Sequence, residues 1–143
     1  MFTSEGKMAS KNILNAQEAA TRLSGEILVA EDVVMNQMLI QRFLEKLGAK
    51  VTLADNGVVA VNLAQQHHYD LVYMDMQMPL MSGVDAVRQL REMNYTAPIV
   101  MLTANATLED RNICREAGCN DFLTKPINRE QLTRITEQYL KTP

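Results

Sequence analysis

A short apolar run that ends abruptly in a carboxylate does most to constrain the fold of this chain. Residues 71–74 (Leu-Val-Tyr-Met) are continuously apolar over the length of a strand, and Asp75 follows them at once. Such a run is typical of a central parallel strand buried on both faces. The strand must end before Pro79, which has no N–H to donate to a sheet. Open α/β sheets bind their ligands at the carboxyl ends of the strands, so Asp75 is the first candidate functional residue, although it could also merely cap a turn.

Four more strand-like runs and five helical segments alternate along the chain. The strands are predicted at 27–30, 51–54, 98–102 and 121–124, and the helices at about 35–47, 58–67, 83–93, 106–117 and 128–140. The first helix carries Leu39, Phe43 and Leu47 at a spacing of four and ends at Gly48. Strict alternation of this kind predicts an α/β fold with a parallel sheet, right-handed crossovers and helices on both faces.

One dipeptide invites a different prediction. Asn56-Gly57 is a hairpin signal, and the valines after it could form a returning strand. However, Val58, Val61 and Leu63 continue at helical spacing, and Asn56 is a good helix N-cap. We therefore predict a helix here.

Composition limits the classes of protein that fit. The 143 residues suit one domain with a short appendage, and we expect residues 1–25 to be a linker or extension and residues 26–143 the domain. A net charge of -3 offers no basic surface for nucleic acid or anionic lipid. No apolar run has the length of a membrane span, and two cysteines are too few for a disulfide framework. These features indicate a cytoplasmic protein without direct membrane contact.

Polar residues end four of the five predicted strands. Glu31 and Asp32 follow the first, Asp75 the third, Thr103 ends the fourth and Lys125 follows the fifth. Because parallel strands bring their carboxyl ends to one edge, these residues can converge. Clustered carboxylates repel unless a cation bridges them, and Mg²⁺ prefers oxygen ligands and phosphate groups. Lysine and hydroxyl groups beside such an ion suit a phosphoryl group, with Asp75 as the nucleophile.

At these residues the chain resembles a two-component response-regulator receiver domain, over about residues 26–141. The shared pattern is an acidic pair (Glu31, Asp32), a phosphoacceptor (Asp75), a hydroxyl residue (Thr103) and a Lys-Pro pair (Lys125, Pro126), with an aromatic residue, Phe122, three positions before the lysine. The resemblance implies a flavodoxin-like sheet of order 2-1-3-4-5 and a cis Lys125–Pro126 bond.

The resemblance also implies a role for each site residue. Asp32, Asp75 and the backbone carbonyl of Gln77 would ligate Mg²⁺, and Glu31 would act through water. Thr103 and Lys125 would contact the phosphoryl oxygens. Thr103 and Phe122 would form the conformational switch, read on the face made by the fourth helix, fifth strand and fifth helix, through which a dimer could also form.

The residues that make up two of these motifs indicate the partners. Glu31 to Gln37 and Met74 to Pro79 are most similar to receivers of hybrid sensor kinases, with Val33 in place of a usual Asn and Ser82 in place of a usual Asp. The expected partner is a histidine kinase or histidine phosphotransfer domain, and the receiver could belong to a membrane-bound hybrid kinase. A phosphorylation-gated stand-alone receiver is the alternative. A haloacid-dehalogenase-like phosphatase is disfavoured, since Gln77 stands where it needs a second Asp.

Overall fold

Strands and helices alternate through residues 23–140, the part of the chain that the computed structural model describes. The strands are β1 (Glu26–Ala30), β2 (Lys50–Ala54), β3 (Leu71–Asp75), β4 (Ile99–Thr103) and β5 (Asp121–Thr124). The helices are α1 (Val34–Leu47), α2 (Gly57–Gln66), α3 (Gly83–Glu92), α4 (Leu108–Ala117) and α5 (Arg129–Tyr139). Each lies within two residues of its predicted position.

The five strands form one parallel sheet in the order β2-β1-β3-β4-β5, as predicted. The central strand, β3, pairs with β1 on one side and with β4 on the other, where Asp75 is in register with Leu102. All five residues of β3 are buried. The strand that carries Asp75 is therefore fully protected from solvent, as is its neighbour β4.

Side chains on the two faces of the sheet build two separate core layers. Neighbouring residues of a strand point to opposite faces, so Val72 packs in one layer and Tyr73 in the other. The first layer is closed by α2, α3 and α4, and the second by α1 and α5. This arrangement confirms the prediction of helices on both faces.

Local sequence signals fix where the helices begin and end. Asn56 accepts a hydrogen bond from the Val59 N–H, which confirms a capped helix rather than a hairpin after Asn56-Gly57. Ser82 caps α3 through the Asp85 N–H in the same way. Gly48 and Gly118 end α1 and α4 with φ of 107° and 115°, values that favour glycine.

The buried face of α1 differs from its most regular apolar stripe. Its buried residues are Gln37, Ile40 and Leu44, whereas Leu39 is 40% exposed. Gln37 can lie inside because its amide donates to the Glu31 carbonyl at 2.5 Å and to Asp55 Oδ1 at 2.8 Å. Both amide protons are thereby satisfied, so burial of this polar side chain is inexpensive.

The chain before β1 already contributes to the core. Leu23 is buried and packs in the layer that contains Ile27 and Leu44. The linker or extension expected over residues 1–25 lies almost wholly outside the described residues and stays a prediction. Within the described range, none of the helices has the length and apolar character needed to cross a membrane.

Candidate functional site

The carboxyl edge of the sheet forms a cavity of about 210 Å³. It is lined by Asp32, Asp75, Met76, Gln77, Thr103, Ala104, Asn105, Asp110 and Lys125. Five of the six residues predicted to bind metal or a phosphoryl group line it, and the sixth, Glu31, is fully buried beside it. The strand ends thus bring the predicted residues together.

Lys125 connects two carboxylates inside this site. Its Nζ lies 2.8 Å from Asp75 Oδ2 and 2.9 Å from Glu31 Oε1. Asp75 also accepts a hydrogen bond from the Gln77 N–H at 3.3 Å, and Glu31 accepts one from the Val33 N–H at 2.9 Å. One ammonium group therefore faces two buried carboxylates, so the site has an excess of negative charge when both are ionised.

This imbalance shifts the pKa values of the two acids in opposite directions. Burial and then the repulsion of Glu31 outweigh Lys125 and raise the pKa of Asp75 to about 6. Burial alone would raise the pKa of Glu31 too, but the Val33 N–H and Lys125 hold it below its usual value. Glu31 is therefore the carboxylate that Lys125 keeps ionised, and Asp75 is the one that takes up a proton first.

Three acids at this edge could hold a cation. Ligand atoms of Glu31, Asp32 and Asp75 all lie within 4.8 Å of one another. Glu31 Oε1 is buried without a well-oriented hydrogen bond, because its contact with Lys125 is an ion pair by distance alone. Oxygen donors, surplus negative charge and an open side at exposed Asp32 fit a hard divalent cation.

The hydroxyl of Thr103 is engaged within its own loop. Thr103 Oγ1 donates to the Asn105 carbonyl at 2.8 Å and accepts from the Asn105 N–H at 3.2 Å. The residue lies on the cavity wall as predicted, but its proton points to the loop. To donate to a phosphoryl oxygen, Thr103 must release the Asn105 carbonyl.

Phe122 lies outside the cavity, on β5. It is half-buried and packs against the core layer of α2, α3 and α4. The Arg111 guanidinium on α4 covers its ring at 4.8 Å from the centroid, a cation–π contact. The predicted switch residue therefore sits between the core and an arginine on the outer surface.

A glycine fixes the loop between Asp75 and α3. Gly83 N–H donates to the Met76 carbonyl at 2.9 Å, and a Cβ at Gly83 would lie 1.8 Å from the Asp75 carbonyl oxygen. Only glycine allows the start of α3 to approach the end of β3 this closely.

The peptide bond between Lys125 and Pro126, after β5, is cis, as predicted.

Sequence reasoning missed four residues of the cavity: Met76, Ala104, Asn105 and Asp110. Met76 and Ala104 directly follow the predicted residues Asp75 and Thr103, and Asn105 comes next after Ala104, so their position in the loops was the available signal. Asp110 belongs to the first turn of α4, and no local motif singles it out.

The chain belongs to the response regulator receiver domain family, whose model matches residues 27–137. Among curated proteins, it is 39% identical over 124 residues to the sensor histidine kinase GacS of Pseudomonas protegens. That match covers 83% of this chain and 14% of the kinase, so the chain spans a small part of this relative's length.

Two solved structures extend the likeness. The receiver domain of a sensor histidine kinase from Pseudomonas aeruginosa, solved with a magnesium ion in its active site cleft, is 42% identical, with a TM-score of 0.75 and coverage of 81% of this chain and 97% of that one. The Saccharomyces cerevisiae Ssk1 receiver, solved with the phosphotransfer protein Ypd1, is 32% identical, with a TM-score of 0.79 and coverage of 82% and 90%. The chain is thus a receiver domain of the two-component phosphorelay class.

Proposed function

We propose that Asp75 is the phosphoacceptor of this receiver and takes its phosphoryl group from a phosphohistidine. The contact between Lys125 Nζ and Asp75 Oδ2, at 2.8 Å, carries this proposal. It places a cation beside the only carboxylate that ends the central strand, at the floor of a cavity open to a donor.

The transfer follows from this placement. An ionised oxygen of Asp75 attacks phosphorus, and the new P–O bond forms as the P–N bond to the histidine breaks. The imidazole leaves with the bonding electrons and takes a proton from solvent. Lys125 then pairs with the phosphoryl oxygens, and Thr103 donates to them after releasing Asn105. The charge that develops on these oxygens meets a positioned cation, which is how proteins favour phosphoryl transfer.

Mg²⁺ is the cation that we assign to the acidic group. Asp32, Asp75 and the Gln77 carbonyl would bind it directly and Glu31 would act through water. An ion held by these residues would supply positive charge that offsets the negative charge of the phosphoryl oxygens. Glu31 Oε1, buried without an oriented hydrogen-bond donor, supports this assignment.

The partner surface lies beside the cavity mouth. Exposed apolar side chains cover the outer side of α1 and the loop after β3, with Met35 80%, Met38 57% and Leu80 83% exposed. Leu80 is held there at a φ of 68°, a conformation that costs energy in a residue other than glycine. A helical phosphotransfer domain must approach this edge for its histidine to reach Asp75. Its apolar surface would cover these side chains.

The relatives support a place within a larger phosphorelay protein. We assign residues 26–143 to a cytoplasmic receiver of a hybrid sensor kinase and residues 1–25 to a linker before it. The match to a sensor histidine kinase at 39% identity supports this context.

Incubation of the chain with Mg²⁺ and acetyl phosphate, followed by intact mass measurement, tests the phosphoacceptor. We expect one phosphoryl group on the parent and none on Asp75→Asn. Asp85→Asn, which removes an exposed carboxylate on α3, is the matched control and should be labelled like the parent. Labelling of Asp75→Asn at the parental rate would overturn the assignment.

A further inference from the structure

Two thiols that take no part in the site meet at the far end of α4. Cys114 lies in the last turn of α4 and Cys119 follows Gly118, the residue that ends the helix. Both are free thiols; Cys114 is buried and Cys119 is half-buried. Five positions separate them in sequence, so their proximity depends on the shape of the helix end.

The backbone folds these two residues against each other. The Cys119 N–H donates to the Cys114 carbonyl at 3.0 Å, and the Gly118 N–H donates to the Arg115 carbonyl at 3.1 Å. This pair of bonds is the Schellman ending of a helix, in which the two outer residues commonly place their side chains in contact. Cysteines occupy both of these positions here.

Neighbouring residues hold the turn in place. The Arg91 side chain donates to the Gly118 carbonyl at 2.9 Å, and its Cγ would lie 2.6 Å from a Cβ at Gly118. On the other side, the Asn120 N–H donates to the Ile99 carbonyl at 2.8 Å. The segment that carries Cys119 is therefore fixed between α3 and the sheet.

A reagent can reach the pair. Cys114 and Cys119 line a common cavity of about 190 Å³ together with Arg111, Arg115 and Asp121. Two guanidinium groups against one carboxylate favour an anionic reagent over a metal cation. Cys119 is the more exposed of the two residues, so we expect such a reagent to meet it first.

We propose that Cys114 and Cys119 are a covalent modification site, a thiol pair that closes to an internal disulfide by exchange with a small anionic disulfide such as glutathione disulfide. Cys119 attacks one sulfur and releases the first glutathione thiol. Cys114 then attacks the Cys119 sulfur and releases the second. Two protein thiols are oxidised, one glutathione disulfide is reduced to two thiols, and the two thiol protons pass to the leaving thiolates.

The reaction is slow in the folded chain. Burial raises the pKa of Cys119 to about 12, and burial together with Asp110 raises the pKa of Cys114, so little thiolate is present at neutral pH. The pair therefore responds to sustained oxidation rather than to brief exposure.

The first test is the intact mass of the reduced full chain after incubation with glutathione disulfide. We expect the parent to lose two hydrogens and gain no adduct, and reductant to reverse the loss. Cys114→Ser should keep one glutathione on Cys119, whereas Cys119→Ser should react about tenfold more slowly because its remaining thiol is buried. A stable adduct on the parent, a disulfide-linked dimer or no reaction would overturn the proposal.

A second measurement shows that the folded turn brings the thiols together. In a glutathione redox buffer, the equilibrium constant for closing the disulfide should be about tenfold or more higher in the native chain than in urea, since the fold already holds the thiols close. An equal or lower constant in the native chain would mean that the turn does not favour the bond.

Discussion

At the scale of single residues, the charge balance of the site depends on how Lys125 is shared. It contacts Glu31 and Asp75 at nearly equal distances, yet the pKa of Glu31 is lowered and that of Asp75 is raised to about 6. Glu31 accepts a hydrogen bond from the Val33 N–H at 2.9 Å, whereas the hydrogen bond that Asp75 accepts from the Gln77 N–H is longer, at 3.3 Å. The residue assigned to chemistry is thus the less well stabilised anion.

The raised pKa of Asp75 predicts a pH dependence of stability in the metal-free protein. The folded state holds the proton of Asp75 up to about pH 6, whereas the unfolded state releases it near 3.8. A shift of this size corresponds to about 3 kcal/mol without screening. Solvent in the open cavity screens part of it, so ionisation of Asp75 in the folded state should lower stability by about 1 to 2 kcal/mol as pH rises through this window. Glu31 acts in the opposite sense, because its lowered pKa stabilises the folded state above its usual range.

Comparison of the parent with Asp75→Asn isolates this effect. In urea denaturation with a chelator present, Asp75→Asn should gain stability relative to the parent between about pH 4 and pH 7 and then keep a constant advantage of about 1 to 2 kcal/mol. Parallel stability curves over the whole range would contradict the prediction.

A buried hydrogen bond links the strand of Asp75 to α5. Tyr73 Oη lies 2.5 Å from Thr136 Oγ1, which itself donates to the Leu132 carbonyl at 2.7 Å, so Tyr73 is the donor. Thr136→Val should cost about 1 to 3 kcal/mol because it leaves a buried hydroxyl unpaired. Tyr73→Phe should cost less, and the double variant should resemble Tyr73→Phe. Urea denaturation of the four proteins measures the coupling; additive costs would show that the bond contributes nothing.

Single residues also show what the sequence can predict of the site. Strand ends placed Glu31, Asp32, Asp75, Thr103 and Lys125 at one edge, because parallel topology makes that convergence obligatory. The state of the Thr103 hydroxyl could not be predicted, since it depends on a carbonyl whose direction is set by the fold of the loop. The same holds for Asp110, which reaches the cavity only through the placement of α4.

At the scale of elements, apolar runs and terminal glycines located every strand and helix of the described region to within two residues. The buried face of α1 was harder to predict. Its apolar residues serve two surfaces, with Ile40 and Leu44 in the core and Met35 and Met38 exposed. A helix with apolar side chains on two sides has no single stripe, and the polar residue that it buries, Gln37, is accommodated by partners distant in sequence.

The exposed side of α1 predicts a separation between partner-dependent and small-molecule phosphorylation. Met38→Glu places a charge in the surface that we assign to a phosphotransfer domain and should slow transfer from that domain about tenfold or more. Labelling by acetyl phosphate should be unchanged, because Met38 does not line the cavity. Glu137→Met, a change at an exposed position of α5, is the control. An equal loss of phosphorylation with both donors would show that Met38 supports the fold or the site rather than the contact with the phosphotransfer domain.

The junction between β3 and α3 predicts a severe effect from one methyl group. Gly83→Ala would place its Cβ 1.8 Å from the Asp75 carbonyl, so α3 must move or the strand end must bend. We expect a loss of more than about 3 kcal/mol. Ser82→Ala, next to it, removes only the cap on α3 and should cost about 1 kcal/mol. Similar costs for the two variants, measured by urea denaturation, would show that the close approach is not required.

At the scale of the whole molecule, ionised Asp75 lowers the stability of the domain that carries it when no cation is bound. The two core layers meet at β3, and the end of that strand holds buried negative charge that one lysine cannot neutralise. A cation at this edge would relieve that repulsion, so stability and metal binding are expected to be linked. The ion would bind the folded chain only, because the three acids come together only when the strands are aligned.

This linkage predicts that Mg²⁺ raises the stability of the unphosphorylated domain. At a concentration ten times its dissociation constant, one bound ion adds about 1.4 kcal/mol, since the gain follows the logarithm of occupancy. Asp32→Ala should abolish most of the gain because it removes the exposed ligand, while Asp32 itself supports neither core layer. Thermal melts with Mg²⁺, and with Na⁺ at the same ionic strength, distinguish binding from screening. The gain should be specific to Mg²⁺ in the parent and small in Asp32→Ala; an equal Mg²⁺ response in both proteins would contradict a metal site built on Asp32.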